Sequence, residues 1–323
     1  MIEQYYAAGV TDGLPVVPPT AEKISSMVAA MGYPEEHVLG TIQPSGARVR
    51  VREVAINAVM AGCLPAYGPV VIAAVKAFLR EEFTPWGIAV STKGCAPLII
   101  VNGPVRHAIG MNSQGNVFGA GYRANATIGR ALRLVIRNIC KARPPDVDRA
   151  CFGHGGKFTY CIAEDEENSL WTPLHVERGL QKEESAVTLL GGEGPRLVSI
   201  VTARAEAILY AIAATMATVG TFGGRAGLPY LVAIGREHRE VLNAAGWTKD
   251  MMREYLVENA LISPESLQKA GYPADAPFAV ITDPQQLLII AAGGSAGPFS
   301  CVVPGWSWMS RPQTVPVADT VRK

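Results

Sequence analysis

The stretch Ser91-Thr92-Lys93-Gly94-Cys95-Ala96-Pro97-Leu98-Ile99-Ile100-Val101-Asn102-Gly103-Pro104 is a polar, glycine-containing approach to a cysteine, followed at once by a short apolar run. Such a run, bounded by Pro97 and Gly103, predicts a buried strand. Cys95 then falls at the entrance of the strand, on a loop held by a rigid element, which is where reactive groups tend to be presented.

A second stretch echoes the first. In Gly227-Leu228-Pro229-Tyr230-Leu231-Val232-Ala233-Ile234-Gly235 a proline and a glycine again stand six apart around an apolar strand, with glycine in place of the cysteine. Each stretch is followed by a basic turn carrying a histidine, His107 or His238, and preceded by an apolar Ala-rich helix, residues 51–61 or about 203–218. The expected fold is therefore α/β, built as two related α/β halves (an internal pseudo-repeat) with Gly-rich loops at their interface. The expected division is 1–169, a linker 170–195 containing Trp171, Pro173, His175 and Gly191-Gly192-Glu193-Gly194, and 196–323.

Composition supports a packed interior. The 323 residues are 49% hydrophobic and only 18% charged, which implies large cores rather than disorder. A net charge of +1 without any run of like charges argues against nucleic acid as a partner. The start, Met1-Ile2-Glu3-Gln4-Tyr5-Tyr6, has no basic segment leading into an apolar one, so a cytoplasmic location is expected. The uncharged segment Val54 to Val75 is long enough to cross a bilayer, but Asn57, Gly62, Pro65, Gly68 and Pro69 break it into two helices of a core. Homo-oligomers through the apolar helices are expected, with a small molecule as substrate.

Further elements can be read along the chain. Thr11 to Thr20 is Pro-rich and predicts an extended surface run, after which Thr20 caps a helix ended by Gly32. A helix from about residue 123 to 139 carries an apolar stripe, Ile128, Leu132, Val135 and Ile139. Arg130, Arg133 and Arg137 recur on it at i, i+3 and i+7, read most simply as a solvated basic face. The Glu164-Asp165-Glu166-Glu167 cluster reads likewise as solvated, with one or two carboxylates available to orient His154 or Lys157. Trp306-Ser307-Trp308 and a polar tail close the chain.

The chemistry points first to sulfur. Six cysteines without any CxxC form no disulfide framework. Cys63, Cys95 and Cys301 all fall on Gly/Pro-rich turns beside apolar elements, and loops converging between the halves would give a thiolate site suited to Cu(I) first, and to Zn or Fe next. Cys95 could equally be a metal-free nucleophile, with His154 or His107 as base. His154 stands in Cys151-Phe152-Gly153-His154-Gly155-Gly156-Lys157, where flanking glycines let the backbone approach a ligand and Lys157 is presented beside it. The Gly/Asn loop from Met111 to Arg123 offers Asn112, and with Arg123 and Asn125 at the following helix start it suits a small polar or anionic ligand. Ser295 in Gly293-Gly294-Ser295-Ala296-Gly297 offers a further loop contact, but GxGxxG and GK[ST] are both missing, so no nucleotide cofactor is predicted. GxSxG and HExxH are missing too.

Asp12-Gly13-Leu14-Pro15-Val16-Val17-Pro18-Pro19-Thr20, Asn57-Ala58-Val59-Met60-Ala61-Gly62-Cys63, Cys95 to Pro104 and Arg123-Ala124-Asn125-Ala126-Thr127-Ile128-Gly129-Arg130 together resemble a family of mostly hypothetical bacterial proteins, similar over nearly the whole chain. Some of its members are associated with thiol- or selenol-containing UGSC-motif proteins, and the resemblance implies no particular activity. The residues themselves lead to an expectation: a thiolate-dependent metalloenzyme, a hydrolase or lyase, acting on a small polar or anionic molecule. The metal would be held by Cys63, Cys95 and Cys301, with Cys95, His154 and Lys157 catalytic and Arg123, Asn125, Asn112 and Ser295 on the substrate. A metal-free cysteine enzyme and a non-catalytic small-anion-binding or assembly subunit are the alternatives.

Overall fold

The computed structural model describes residues 2–221, 226–307 and 309–317, so Trp308 and the last residues of the tail lie outside the described residues. The chain opens with α1 (Ile2–Ala7), the extended Pro-rich run, and α2 (Ala21–Met31). Thr20 caps α2 by accepting from the Lys23 N–H at 3.4 Å, and Gly32 at φ 73° ends it. A small hairpin, β1 (Val38–Ile42) and β2 (Ala47–Arg50), leads into α3 (Val51–Ala61) and α4 (Gly68–Phe78). Gly62 at φ 96° turns the chain between them, as the breaks in the uncharged segment predict. Among the described residues no helix is long and apolar enough to cross a membrane.

After α5 (Pro85–Val90) comes β3 (Ala96–Asn102), the strand of the opening stretch, in which every residue is buried. The first half continues through α6 (Val105–Ala108), α7 (Arg123–Asn138), β4 (Cys161–Ala163), α8 (Leu174–Glu177) and β5 (Ala186–Gly192). Gly129 lets α7 lie hard against the start of β4, since a Cβ there would stand 2.6 Å from the Tyr160 backbone nitrogen. The second half runs β6 (Arg196–Ser199), α9 (Ala205–Met216), β7 (Tyr230–Ile234), α10 (Arg236–Ala244), α11 (Lys249–Asn259), β8 (Leu261–Ile262), α12 (Pro264–Lys269), β9 (Phe278–Ala279), β10 (Leu287–Ala291), β11 (Phe299–Pro304) and β12 (Gln313–Pro316).

These strands build two mixed sheets of four strands each, ordered β4-β3-β5-β12 and β10-β7-β11-β6. In the first, β3 is parallel to β4 and antiparallel to β5; in the second, β7 is parallel to β10 and antiparallel to β11. The strand that follows each three-stranded set, β6 after β5 and β12 after β11, leaves its own set for the edge of the other sheet. β6 pairs with β11 and β12 pairs with β5, both antiparallel.

The alternation of each strand decides the layers. Ala96, Leu98 and Ile100 of β3 meet Leu231, Ala233, Leu288 and Ile290 between the sheets. Ile99, Val101, Val187 and Leu189 face the other way, under α3, α4 and α7. Val232, Ile234, Ile289 and Val302 face α9 and α11. The order is helices, sheet, sheet, helices, which is an α/β architecture.

Two expectations need correction here. The segment 170–195 is not a free linker: β5 within it is buried along its length and pairs with β3 over seven residues. Its flanking charged and glycine residues masked a strand whose partner is distant in sequence. The cluster Glu164 to Glu167 is not a solvated face either. Asn102 donates to Glu164 at 2.6 Å and to Glu166 at 2.9 Å, while Arg106 meets Glu166 at 3.0 Å and Glu167 at 2.8 Å. From the second half, Arg239 of α10 meets Asp165 at 2.7 Å and Lys249 of α11 lies 3.5 Å from Glu164. Glu164 and Asp165 thus form a buried ionic clasp between the halves, in which each charge survives burial because it is paired, while Glu167 at the cluster's end stays half-exposed.

Candidate anion-binding site

The polar face of α7 does not point into bulk water. Arg130 holds Asp12 through two hydrogen bonds of 2.8 Å and donates to the Leu14 and Pro15 carbonyls, which pins the Pro-rich run across the helix. Burial raises the Asp12 carboxyl, but the bonds and charge of Arg130 outweigh it and hold the group below the usual carboxylate value. One turn on, Arg133 is 8% exposed. Its Nε donates to the Lys157 carbonyl at 3.0 Å, and its Nη2 lies 3.5 Å from Asp148. Its Nη1 is buried without a hydrogen-bond partner among the described residues.

Arg137, one further turn along, also has a buried Nε without a partner, and so does Arg143 just beyond the helix. Burial and the charge of Arg143 depress the Arg137 guanidinium from its ordinary value, against a smaller pull from Asp12. Two like-charged groups crowd together, and both have unsatisfied donors.

Arg133 and Arg137 line a cavity of about 330 Å³ together with Lys157, Asp148, Asp12 and His154. Lys157 is neutralised within the wall, because its Nζ lies 2.6 Å from both Asp148 oxygens. Asp12 is likewise committed to Arg130. With those pairs set aside, positive charge remains on Arg133 and Arg137. Phe152 and Phe158 form an apolar part of the same lining.

His154 belongs to this wall, but its nitrogens turn to the protein. Nδ1 accepts from the Gly156 N–H at 3.1 Å, and Nε2 is buried without a hydrogen bond of ordinary geometry. Burial holds the ring below the usual histidine value; the Gly192 carbonyl opposes this, and the charges of Lys157 and Arg133 add to it. Neutral and packed edge-on against Tyr160, the ring adds no further positive charge to the cavity.

The other residues predicted for the site are dispersed. Cys95 is wholly buried on the helix side of the first sheet, and burial pushes its thiol up, against the nearby charges of Arg133 and Lys157. Cys63 lines a separate cavity with Arg123 and Lys23, donates to the Thr127 carbonyl at 3.3 Å, and is pushed up to about 12 by burial. Cys301 faces the layer between the sheets, in a cavity with Gly235, Gly293 and Phe299, and burial pushes it up to about 12. Cys63 and Cys95 both belong to the core on the helix side of the first sheet, Cys63 at the turn after α3 and Cys95 at the entrance of β3, whereas Cys301 faces the layer between the sheets. Among the described residues no group of three His, Cys, Asp or Glu side chains could hold a metal ion.

The residues expected on the substrate are engaged with the protein's own backbone or lie on other loops. The Asn125 amide accepts from the Asn112 N–H at 2.9 Å and donates to the Asn112 carbonyl at 2.9 Å and the Cys161 carbonyl at 3.3 Å. The Asn112 side chain bonds the Gln114 N–H and the Gly115 carbonyl. The Asn112 amide closes its own loop, and the Asn125 amide ties that loop and the start of β4 to α7. Arg123 donates to the Gly62 carbonyl, and Ser295 is exposed on its loop.

Of the predicted site residues, His154 and Lys157 meet at one cavity, with Cys95 buried nearby. Arg133, Arg137, Asp148 and Asp12 complete it and were not picked out from the sequence as site residues. The available signal was the i, i+3, i+7 spacing of arginines on one helix, combined with an aspartate in the Pro-rich run. Compared with known proteins, the chain matches no family model and no curated protein.

Proposed function

We propose that the protein binds a small anionic molecule in the cavity between α7 and the loop 148–158. The observation that carries this reading is the buried Nη1 of Arg133, which has no partner beside a second guanidinium, Arg137, in the same condition. A buried N–H left unbonded costs about 1–3 kcal/mol, more when the group is charged, and an anion in the cavity that both arginines line would offset their charge and give their guanidinium groups an acceptor. This reading keeps the small-anion ligand expected from the sequence and assigns no role to the cysteines. Fluorescence-monitored melting of the protein in acetate, against an equal concentration of a neutral osmolyte, tests it. Stabilisation by acetate that disappears in Arg137→Gln is expected; equal stabilisation of wild type and variant would overturn it.

We also infer that the two halves derive from one duplicated α/β unit. The support is that β3, β4 and β5 repeat the order and directions of β7, β10 and β11, and that the strand following each set, β6 after β5 and β12 after β11, pairs at the edge of the other sheet.

A further inference from the structure

The anion-binding reading leaves open what the anion carries, and the lining of the cavity bears on that. We propose that the ligand is a carboxylate on an aromatic or comparably flat apolar body, with Phe152 as the side chain that covers it; this rests on the anion reading above.

The charge of the wall selects the head group. Arg133 and Arg137 supply the uncommitted positive charge, while Asp148 and Asp12 stand in the same lining. A phosphate dianion brings more negative oxygens toward those two carboxylates, whereas a carboxylate places two oxygens on guanidinium donors in the paired geometry that arginine favours. The head group is therefore a monoanion with two acceptor oxygens.

Apolar residues select the body. Phe152 is 101% exposed, a phenyl ring standing wholly in water, and Phe158 beside the same cavity is 47% exposed. Ala142, Pro144 and Ala150 continue the apolar surface inward. Nothing in the fold uses the Phe152 ring, since neither sheet nor helix packs on it. A body lying between the phenyl rings and the small apolar residues would bury the ring face, and about 330 Å³ is room for a single-ring acid. Acetate fills the anion subsite alone and leaves the rings wet.

Titration calorimetry of the full chain with benzoate, acetate, benzamide and inorganic phosphate tests both levels. The expected result is benzoate binding at least about tenfold tighter than acetate, with benzamide and phosphate weaker than benzoate. Phe152→Ala, at a side chain with no packing to lose, should remove about tenfold from benzoate affinity and leave acetate unchanged. Arg137→Gln should weaken both carboxylates. If no carboxylate binds, the anion site itself is refuted. If acetate binds as tightly as benzoate, if phosphate or benzamide matches benzoate, or if Phe152→Ala leaves benzoate affinity intact, the anion site stands and the aromatic carboxylate is refuted.

Discussion

Asp165→Asn tests the buried clasp between the halves at its simplest point. Asp165 is 2% exposed and Arg239 is 1% exposed, and their 2.7 Å contact is the only salt bridge of Arg239 among the described residues. The Nε and Nη1 of Arg239 already have no partner, so its charge rests on Asp165 alone. Removing that carboxylate strands a buried guanidinium without its counter-charge, a loss of about 3–5 kcal/mol. In a chain of this size that corresponds to a fall in melting temperature of roughly 5–10 °C. Arg239→Met should cost less, because the carboxylate it leaves behind keeps the Asn168 amide at 2.9 Å as a donor. The double variant, with neither charge, should recover most of the Asp165→Asn loss, since neutral replacements of buried pairs are often tolerated. Circular-dichroism melts of the four proteins at pH 7 decide the matter. An Asp165→Asn loss under about 1 kcal/mol, or no recovery in the double variant, refutes the reasoning.

Two other expectations follow from the ionisation of particular groups. Burial acts to raise Glu167, but hydrogen bonds from Arg106 and His107 outweigh it and lower the carboxyl to about 2. With the folded value depressed, its contribution is complete above the ordinary value of about 4.3 and is lost as pH falls through about 2; half-exposed, it is worth under about 1 kcal/mol. Glu167→Gln should therefore flatten the stability curve between those pH values, as followed by melting, and an unchanged acid limb would count against the assignment. The thiols should separate by burial: Cys151 is exposed, whereas Cys63, Cys95, Cys140 and Cys161 are buried. Native protein at pH 8 should show one fast thiol toward a disulfide reagent, with the half-buried Cys301, pushed up to about 12, reacting more slowly, and Cys151→Ser should abolish the fast phase; a fast phase that persists in that variant would refute the assignment.

What the sequence revealed and what it hid divide along physical lines. The strand β3 was legible because Pro97 and Gly103 bracket an unbroken apolar run, and α3 and α4 because Gly62 and Pro65 interrupt another. These are local signals. β5 was hidden, because Ala186 to Gly192 is short and lies between charged and glycine-rich neighbours, and what makes it a strand is pairing with β3 some ninety residues earlier. The arginines of α7 looked like a wet face because periodicity locates a stripe but not what covers it, and here Asp12 and the loop 148–158 do. His154 and Lys157 were found from glycine-flanked turn chemistry. The charge that neutralises Lys157 comes from Asp148 rather than from the acidic cluster, and only the fold reveals which carboxylate is near. A shared turn chemistry groups Cys63, Cys95 and Cys301 in the sequence but says nothing about which packed layer each side chain meets.

The exchange of outer strands also sets an order on the making of the molecule. A ribosome delivers β5 long before β12, so the first sheet waits with an open edge while the entire second half is synthesised. β6, by contrast, emerges before any strand of the sheet it will join and must wait for β11. The second sheet therefore has all its strands once β11 is made, whereas the first must wait for β12, the last strand of the chain, so a chain truncated before β12 leaves the first sheet with a vacant edge.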